Sequence, residues 1–235
     1  MLEIAYIALS LVMTLILIVI GFYSLNNSEI SNELRKKNKK RIVAGLLGWH
    51  IYVFLISESG LLHTFSFPPR FALFLIVPLF IFTGVFIYKN RNSEWVKVIP
   101  KHWLAIYQSF RIFIETIFVY SVAAGILNYH VTIEGYNYDM VFAYTAPIIG
   151  YLLYKKDDLS PKIVLIWNYL GLAIIASIIF LFLSSVYNPS IFGEAEILLP
   201  IEITKYPYSL VPGFLMPSAV FIHVLSIAKY RNLLK

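Results

Sequence analysis

LEIAYIALSLVMTLILIVIGFYSLNNSEISNELRKKNKKR, residues Leu2 to Arg41, sets an apolar run ending at Leu25 against a segment holding Arg35, Lys36, Lys37, Lys39, Lys40 and Arg41. About 20 apolar residues cross a hydrocarbon core of roughly 30 Å, so the run reads as a spanning helix and the basic segment as its connection. It is not expected to be a cleaved signal peptide. Glu3 stands where a positive region belongs, the apolar run is too long, and no small-residue cleavage site follows.

The same unit recurs along the chain. Further apolar runs at 42–62, 71–88, 102–127, 140–154, 162–186 and 208–228 join the first at 3–25. The expected fold is all-α: a single domain over residues 1–235, built as a polytopic bundle of seven transmembrane helices. The fifth run is short and carries Pro147. Of 235 residues 59% are hydrophobic and 14% charged, where a soluble domain carries about 25% charged residues.

Lys and Arg decide the orientation. The basic residues of the first connection are followed by Lys89, Arg91, Lys97 and Lys101 in the third and Lys155, Lys156 and Lys162 in the fifth. Lys229, Arg231 and Lys235 follow at the C-terminus, so sixteen of the 19 basic residues fall on alternate connections. Only Arg70 and Lys205 fall on the other side, and Arg111 lies inside a run. The positive-inside rule therefore predicts an outer N-terminus and a cytoplasmic C-terminus, in a multi-pass protein of a bacterial cytoplasmic membrane. The net charge of +6 records topology under this reading, and no nucleic-acid partner is expected. Cysteine is absent, which removes disulfides, thiolate catalysis and cysteine-ligated metal sites; no metal site is expected. The longest outer connection, 188–207, is apolar enough to pack back on the helices or close over a cavity.

Ionisable groups inside spans are costly and normally face the bundle interior. In the fourth run Gln108, Arg111 and Glu115 share one helical face, and Arg111 and Glu115 stand four apart, the spacing of a direct pair. At about 1.5 Å per residue from Lys101, Arg111 reaches roughly 15 Å, near the midplane. His50, Asn168 and His223 fall at comparable inner depths in the second, sixth and seventh runs, with Gly171 one turn beyond Asn168. Together the six residues define an expected polar site. A second polar site is expected at the outer mouth, where Glu134, Asn137 and Asp139 lie near His63, His130 and Glu58, with Asp139 also placed to cap the fifth helix. Pro212, Gly213 and Pro217 should kink or locally unwind the seventh helix.

Gln108-x-Phe110-Arg111-x-x-x-Glu115, Glu134-Gly135-x-Asn137-x-Asp139, Ala146-Pro147, Trp167-Asn168-x-x-Gly171-Leu172 and His223-x-x-Ser226 together resemble a family of small bacterial multi-helix membrane proteins. The resemblance covers roughly Trp103 to the C-terminus. It implies a helical membrane fold and carries no activity with it.

The expected function is binding or transport of a small molecule or ion in a polar cavity lined by the second, fourth, sixth and seventh helices. One alternative is a membrane-embedded enzyme acting on a lipid-like substrate, with His223 or His50 as general base. The chain has no HExxH or GxSxG motif. Another alternative is a haem protein with His50 and His223 as axial ligands. A retinal Schiff base is not expected, because 208–228 contains no lysine.

Overall fold

The computed structural model describes residues 1–155 and 159–234; Lys156, Asp157, Asp158 and Lys235, named or counted above, lie outside the described residues. The described chain is all-helical, without strands. Ten α-helical segments follow in order: α1 (Leu2–Asn26), α2 (Asn32–Glu58), α3 (Val77–Asn90), α4 (Glu94–Lys97), α5 (Lys101–Tyr107), α6 (Phe110–Ala123), α7 (Asp139–Ala143), α8 (Thr145–Lys155), α9 (Pro161–Tyr187) and α10 (Met216–Asn232). With the π turns that open α3 and α10, five helices are long and apolar enough to cross a membrane. These are Leu2–Asn26, Asn32–Glu58, Ala72–Asn90, Pro161–Tyr187 and Val211–Asn232.

The two remaining apolar runs differ from the expected single helices. Run 102–127 is broken between α5 and α6, where the amides of Gln108 and Ser109 reach back only three residues, to Ala105 and Ile106 at 3.1 and 2.9 Å. Run 140–154 is broken at Tyr144, between α7 and α8. Proline explains the second break. Pro147 has no N–H for the carbonyl four residues back, Ala143, and its ring crowds that carbonyl. Other boundaries differ in extent. Helix α2 absorbs the basic segment from Arg35 to Arg41, and α10 continues through Lys229.

Lys229 thus belongs to the last helix, which runs beyond the lysine-free stretch 208–228. Its ammonium is consumed by three carbonyls at the end of α4, Val96, Lys97 and Ile99, at 3.2, 2.6 and 2.6 Å. A cation held on orphan helix carbonyls ties α10 to α4.

Helix α10 is the axis of the bundle: 61% of its apolar window is buried, against 11–28% for the other four. It packs on α9 and α3, while α1 packs on α2 and α6, and α5 on α8. Apolar packing and interhelical hydrogen bonds hold the helices together. Buried examples are Tyr6 with Ser121 at 2.7 Å, Tyr107 donating to Ser218 at 2.9 Å, and Ser57 donating to Ser209 at 2.7 Å.

The unwinding expected near Pro212 and Pro217 takes a specific form, and α3 repeats it. Each helix is preceded by a π turn, Ala72–Ile76 and Val211–Leu215, and each carries a proline as its second residue, Pro78 and Pro217. The carbonyls four residues before these prolines are Phe74 and Gly213, and neither has an i+4 amide to accept from. Aromatic donors on α2 supply the bonds instead. Tyr52 donates to Phe74 O at 3.0 Å and Trp49 to Gly213 O at 2.6 Å. The two π turns also touch each other, so α2 clamps both unwound segments from one side.

Candidate functional site

Helix α6 begins just after the break at Gln108 and Ser109, which sets Arg111 in its first turn. Arg111 is 2% exposed and faces α7. Its Nε donates to Asp139 Oδ2 at 3.0 Å, and its Nη2 pairs with Asp139 Oδ1. This bidentate contact is the geometry that makes Arg the preferred partner of a buried carboxylate. The guanidinium carbon also lies 5.0 Å from the Phe142 ring centroid, one turn along α7.

Arg111 therefore does not pair with Glu115, as the four-residue spacing suggested; Asp139 reaches it from another element. Glu115 accepts instead from Asn137 Nδ2, at 3.0 and 3.2 Å to its two oxygens. The same Asn137 accepts from the Asp139 amide at 2.9 Å, closing an Asx turn in front of α7. The Asp139 carboxylate, expected to cap that helix, is spent on the arginine, and Asn137 provides the turn.

The network extends through α10 and α9. Arg111 Nη1 lies 3.3 Å from His223 Nε2, and His223 Nδ1 lies 2.9 Å from Asn168 Oδ1. Arginine only donates, so Nε2 accepts and Nδ1 carries the proton given to Asn168. Asn168 Nδ2 donates to Ser226 Oγ at 3.0 Å and to Val164 O at 2.8 Å. A single line of contacts thus runs Ser226, Asn168, His223, Arg111, Asp139, Asn137, Glu115. Gly171 lets α9 approach, for a Cβ there would lie 2.4 Å from the His223 ring.

The structure brings Arg111, Glu115, Asn168 and His223 into one network, and adds Asn137 and Asp139 from the expected outer-mouth group. Glu134 is exposed and stands apart. Gln108 is buried beside α10, donating to Ala219 O at 3.0 Å, while its Oε1 accepts no hydrogen bond from the described residues. His50 belongs elsewhere: its Nε2 lies 2.7 Å from Thr14 Oγ1, and its ring packs on Phe214. Thr14 gives its own proton to Ser10 O at 2.8 Å, so His50 is the donor. Sequence reasoning missed Thr14 in this pairing and left Ser226 outside the site. The i+3 spacing of Ser226 from His223 was its available signal.

These commitments bear on the alternatives. Both ring nitrogens of His223 are occupied and His50 Nε2 is held by Thr14, so the pair does not present two axial ligands for haem. Nor does His223 keep a free nitrogen as a general base. No group of three or more metal-ligating side chains occurs among the described residues.

Arg111, Glu115 and Asp139 line a cavity of about 100 Å³ whose other walls are almost wholly apolar: Ile114 and Phe118 of α6, Ile175, Ile179 and Phe182 of α9, and Leu215 and Ala219 on the last helix. The 188–207 connection packs back as expected, and its Leu199, Ile203 and Thr204 close one side. The cavity differs from the polar one expected, because the polar atoms are turned toward one another.

No protein family, curated protein or solved structure matches the chain. The resemblance noted above rests on the quoted residues alone. The class of protein defined here is an all-helical chain with helices apolar enough to span a membrane and a buried ionic network at one cavity wall.

Proposed function

We propose that this chain is a single seven-span domain of a bacterial cytoplasmic membrane, with α5–α6 and α7–α8 as two broken spans between the five continuous ones. The N-terminus lies outside and the C-terminus inside. Its function is to bind a small amphiphile in the cavity of Arg111, Glu115 and Asp139. The apolar body lies against Phe118, Ile175 and Phe182, and the polar end meets Glu115.

One observation carries this reading. Arg111 is consumed by Asp139 and His223, whereas among the described residues Glu115 accepts only from the Asn137 amide and lines a largely apolar space. A carboxylate has about four acceptor sites, so Glu115 keeps capacity for a donor on the ligand, a hydroxyl or an amine. Burying a polar group is costly unless it is hydrogen-bonded, which favours a ligand that completes the set. Ligand pockets commonly combine apolar walls with a few placed polar groups.

The test compares propylamine, 1-propanol and propanoate, small enough for a cavity of about 100 Å³, by thermal unfolding of the protein in nanodiscs, beside Glu115→Gln. Propylamine and propanol should raise the melting temperature of the parent protein, propanoate should not, and Glu115→Gln should lose the response to the amine. Equal responses to all three, or an amine response that survives the substitution, overturn the ligand reading. Topology is tested separately. The chain has no cysteine, so Glu134→Cys should react with an impermeant maleimide on intact cells and Lys36→Cys only after lysis. The reverse pattern inverts the orientation, and labelling of both from outside removes the alternation.

A further inference from the structure

A second, larger cavity of about 510 Å³ lies at the other end of the bundle, between α1, α2, α3 and α10. Its size falls within the roughly 300–1,000 Å³ range of ligand pockets. On α2 the cavity is lined by the exposed Gly45, where an added Cβ would meet nothing within 4 Å. Phe82 and Phe86 of α3 and Phe221 of α10 supply aromatic walls. Two hydroxyls along the wall are satisfied: Ser24 donates to Ile20 O at 2.6 Å and Ser218 to Leu215 O at 2.7 Å. Beside the hydroxyl of Thr83, the walls offer an occupant mainly apolar surface.

The rim is different. Among the described residues Arg41 is the one charged side chain lining the cavity, and it is exposed. It ends the basic segment that begins at Arg35. A long apolar space with a cation at its mouth is complementary to a lipid whose acyl chain enters and whose phosphate stays at the surface. We propose that this cavity is a binding site for an anionic phospholipid, with one acyl chain over Gly45 and the phosphate at Arg41. The site shares no ionisable group with the first cavity and does not depend on the ligand proposed there.

Native mass spectrometry of the full chain released from detergent tests it, titrating phosphatidylglycerol against phosphatidylcholine of identical chains. The first bound lipid should favour phosphatidylglycerol by about fivefold, the effect of one basic residue near an anionic headgroup. Arg41→Gln should remove that preference. Lys36→Gln should leave it, since Lys36 does not line the cavity and stands nine residues before Gly45, on the opposite face of α2. Gly45→Trp should reduce binding of both lipids by filling the chain site. Equal affinity for the two lipids overturns the proposal, as does a preference lost equally in Lys36→Gln. A folded Gly45→Trp protein that keeps its first lipid, or a lipid-free dimer that fills the space with a second copy, also overturns it. If Gly45→Trp does not fold, the Arg41 and Lys36 pair still decides.

Discussion

The two cavities share one wall and differ in what they contain. Helix α10 and its π turn present Leu215, Met216 and Ala219 to the charged cavity, and Phe214, Pro217, Phe221 and Leu225 to the apolar one. The charged cavity keeps about 100 Å³ and the apolar one about 510 Å³. The difference follows from what draws the walls together. Each buried ion carries a penalty of several kcal/mol, so Arg111 and the two carboxylates pull in partners from α7, α9, α10 and the segment before α7. Methyl and aromatic groups carry no such penalty and gain only packing when they close a gap, and Gly45 contributes no side chain to close one. Charge makes the one compact; its absence leaves the other roomy.

Breaking the ionic side should produce the largest effect. Arg111→Met leaves Asp139 buried without its cation, which costs about 3–5 kcal/mol. For a chain of this length that corresponds to a fall in melting temperature of roughly 10 °C. Adding Asp139→Leu removes the orphaned charge, and the double variant should recover most of the loss, because apolar replacement of a whole buried pair is often close to neutral. Scanning fluorimetry of the two variants in detergent measures both. An unchanged melting temperature in Arg111→Met, or a double variant worse than the single, would place the stabilising contacts elsewhere.

A smaller effect is expected where the cavities meet, at the π turn. Trp49→Phe keeps the aromatic packing and removes the donor to Gly213 O, at a cost of about 1–3 kcal/mol for a buried carbonyl left unpaired. Pro217→Ala returns an amide that can bond to Gly213 in the ordinary helical way. The double variant should therefore unfold closer to the parent than Trp49→Phe alone. Additive losses in the two would show that the indole serves only as packing.

Much of this comparison was legible in the sequence, and the remainder was not, for identifiable reasons. The five continuous helices follow from apolar runs, and Arg111 with Glu115 stands out because ionisable residues inside an apolar run are rare. Spacing alone misassigned the partner. An i, i+4 pair is always geometrically available, but Asp139 arrives through a turn whose path no helical periodicity encodes. The break at Tyr144 was foreshadowed by Pro147, whereas the break at Gln108 and Ser109 carries no proline or glycine to announce it. His50 and His223 lie at similar depths along their helices, but depth says nothing of rotation, and Thr14 took one while Arg111 and Asn168 took the other. The apolar cavity had no signature, since an empty volume is a property of how helices cross.

The least disruptive change sharpens the comparison from the apolar side. Gly45→Ala adds one methyl where an added Cβ meets nothing within 4 Å. The methyl is too small to occupy a 510 Å³ space, so its effect is confined to the backbone. Glycine inside a helix is less favourable than alanine by roughly 0.5–1 kcal/mol, and Gly45 lies in the interior of α2. The expected outcome is a rise in melting temperature of about 1–4 °C with lipid binding unchanged. A decrease would mean that a neighbouring side chain closes the space beside Gly45, and the contrast between a packed ionic side and an open apolar side would then be lost.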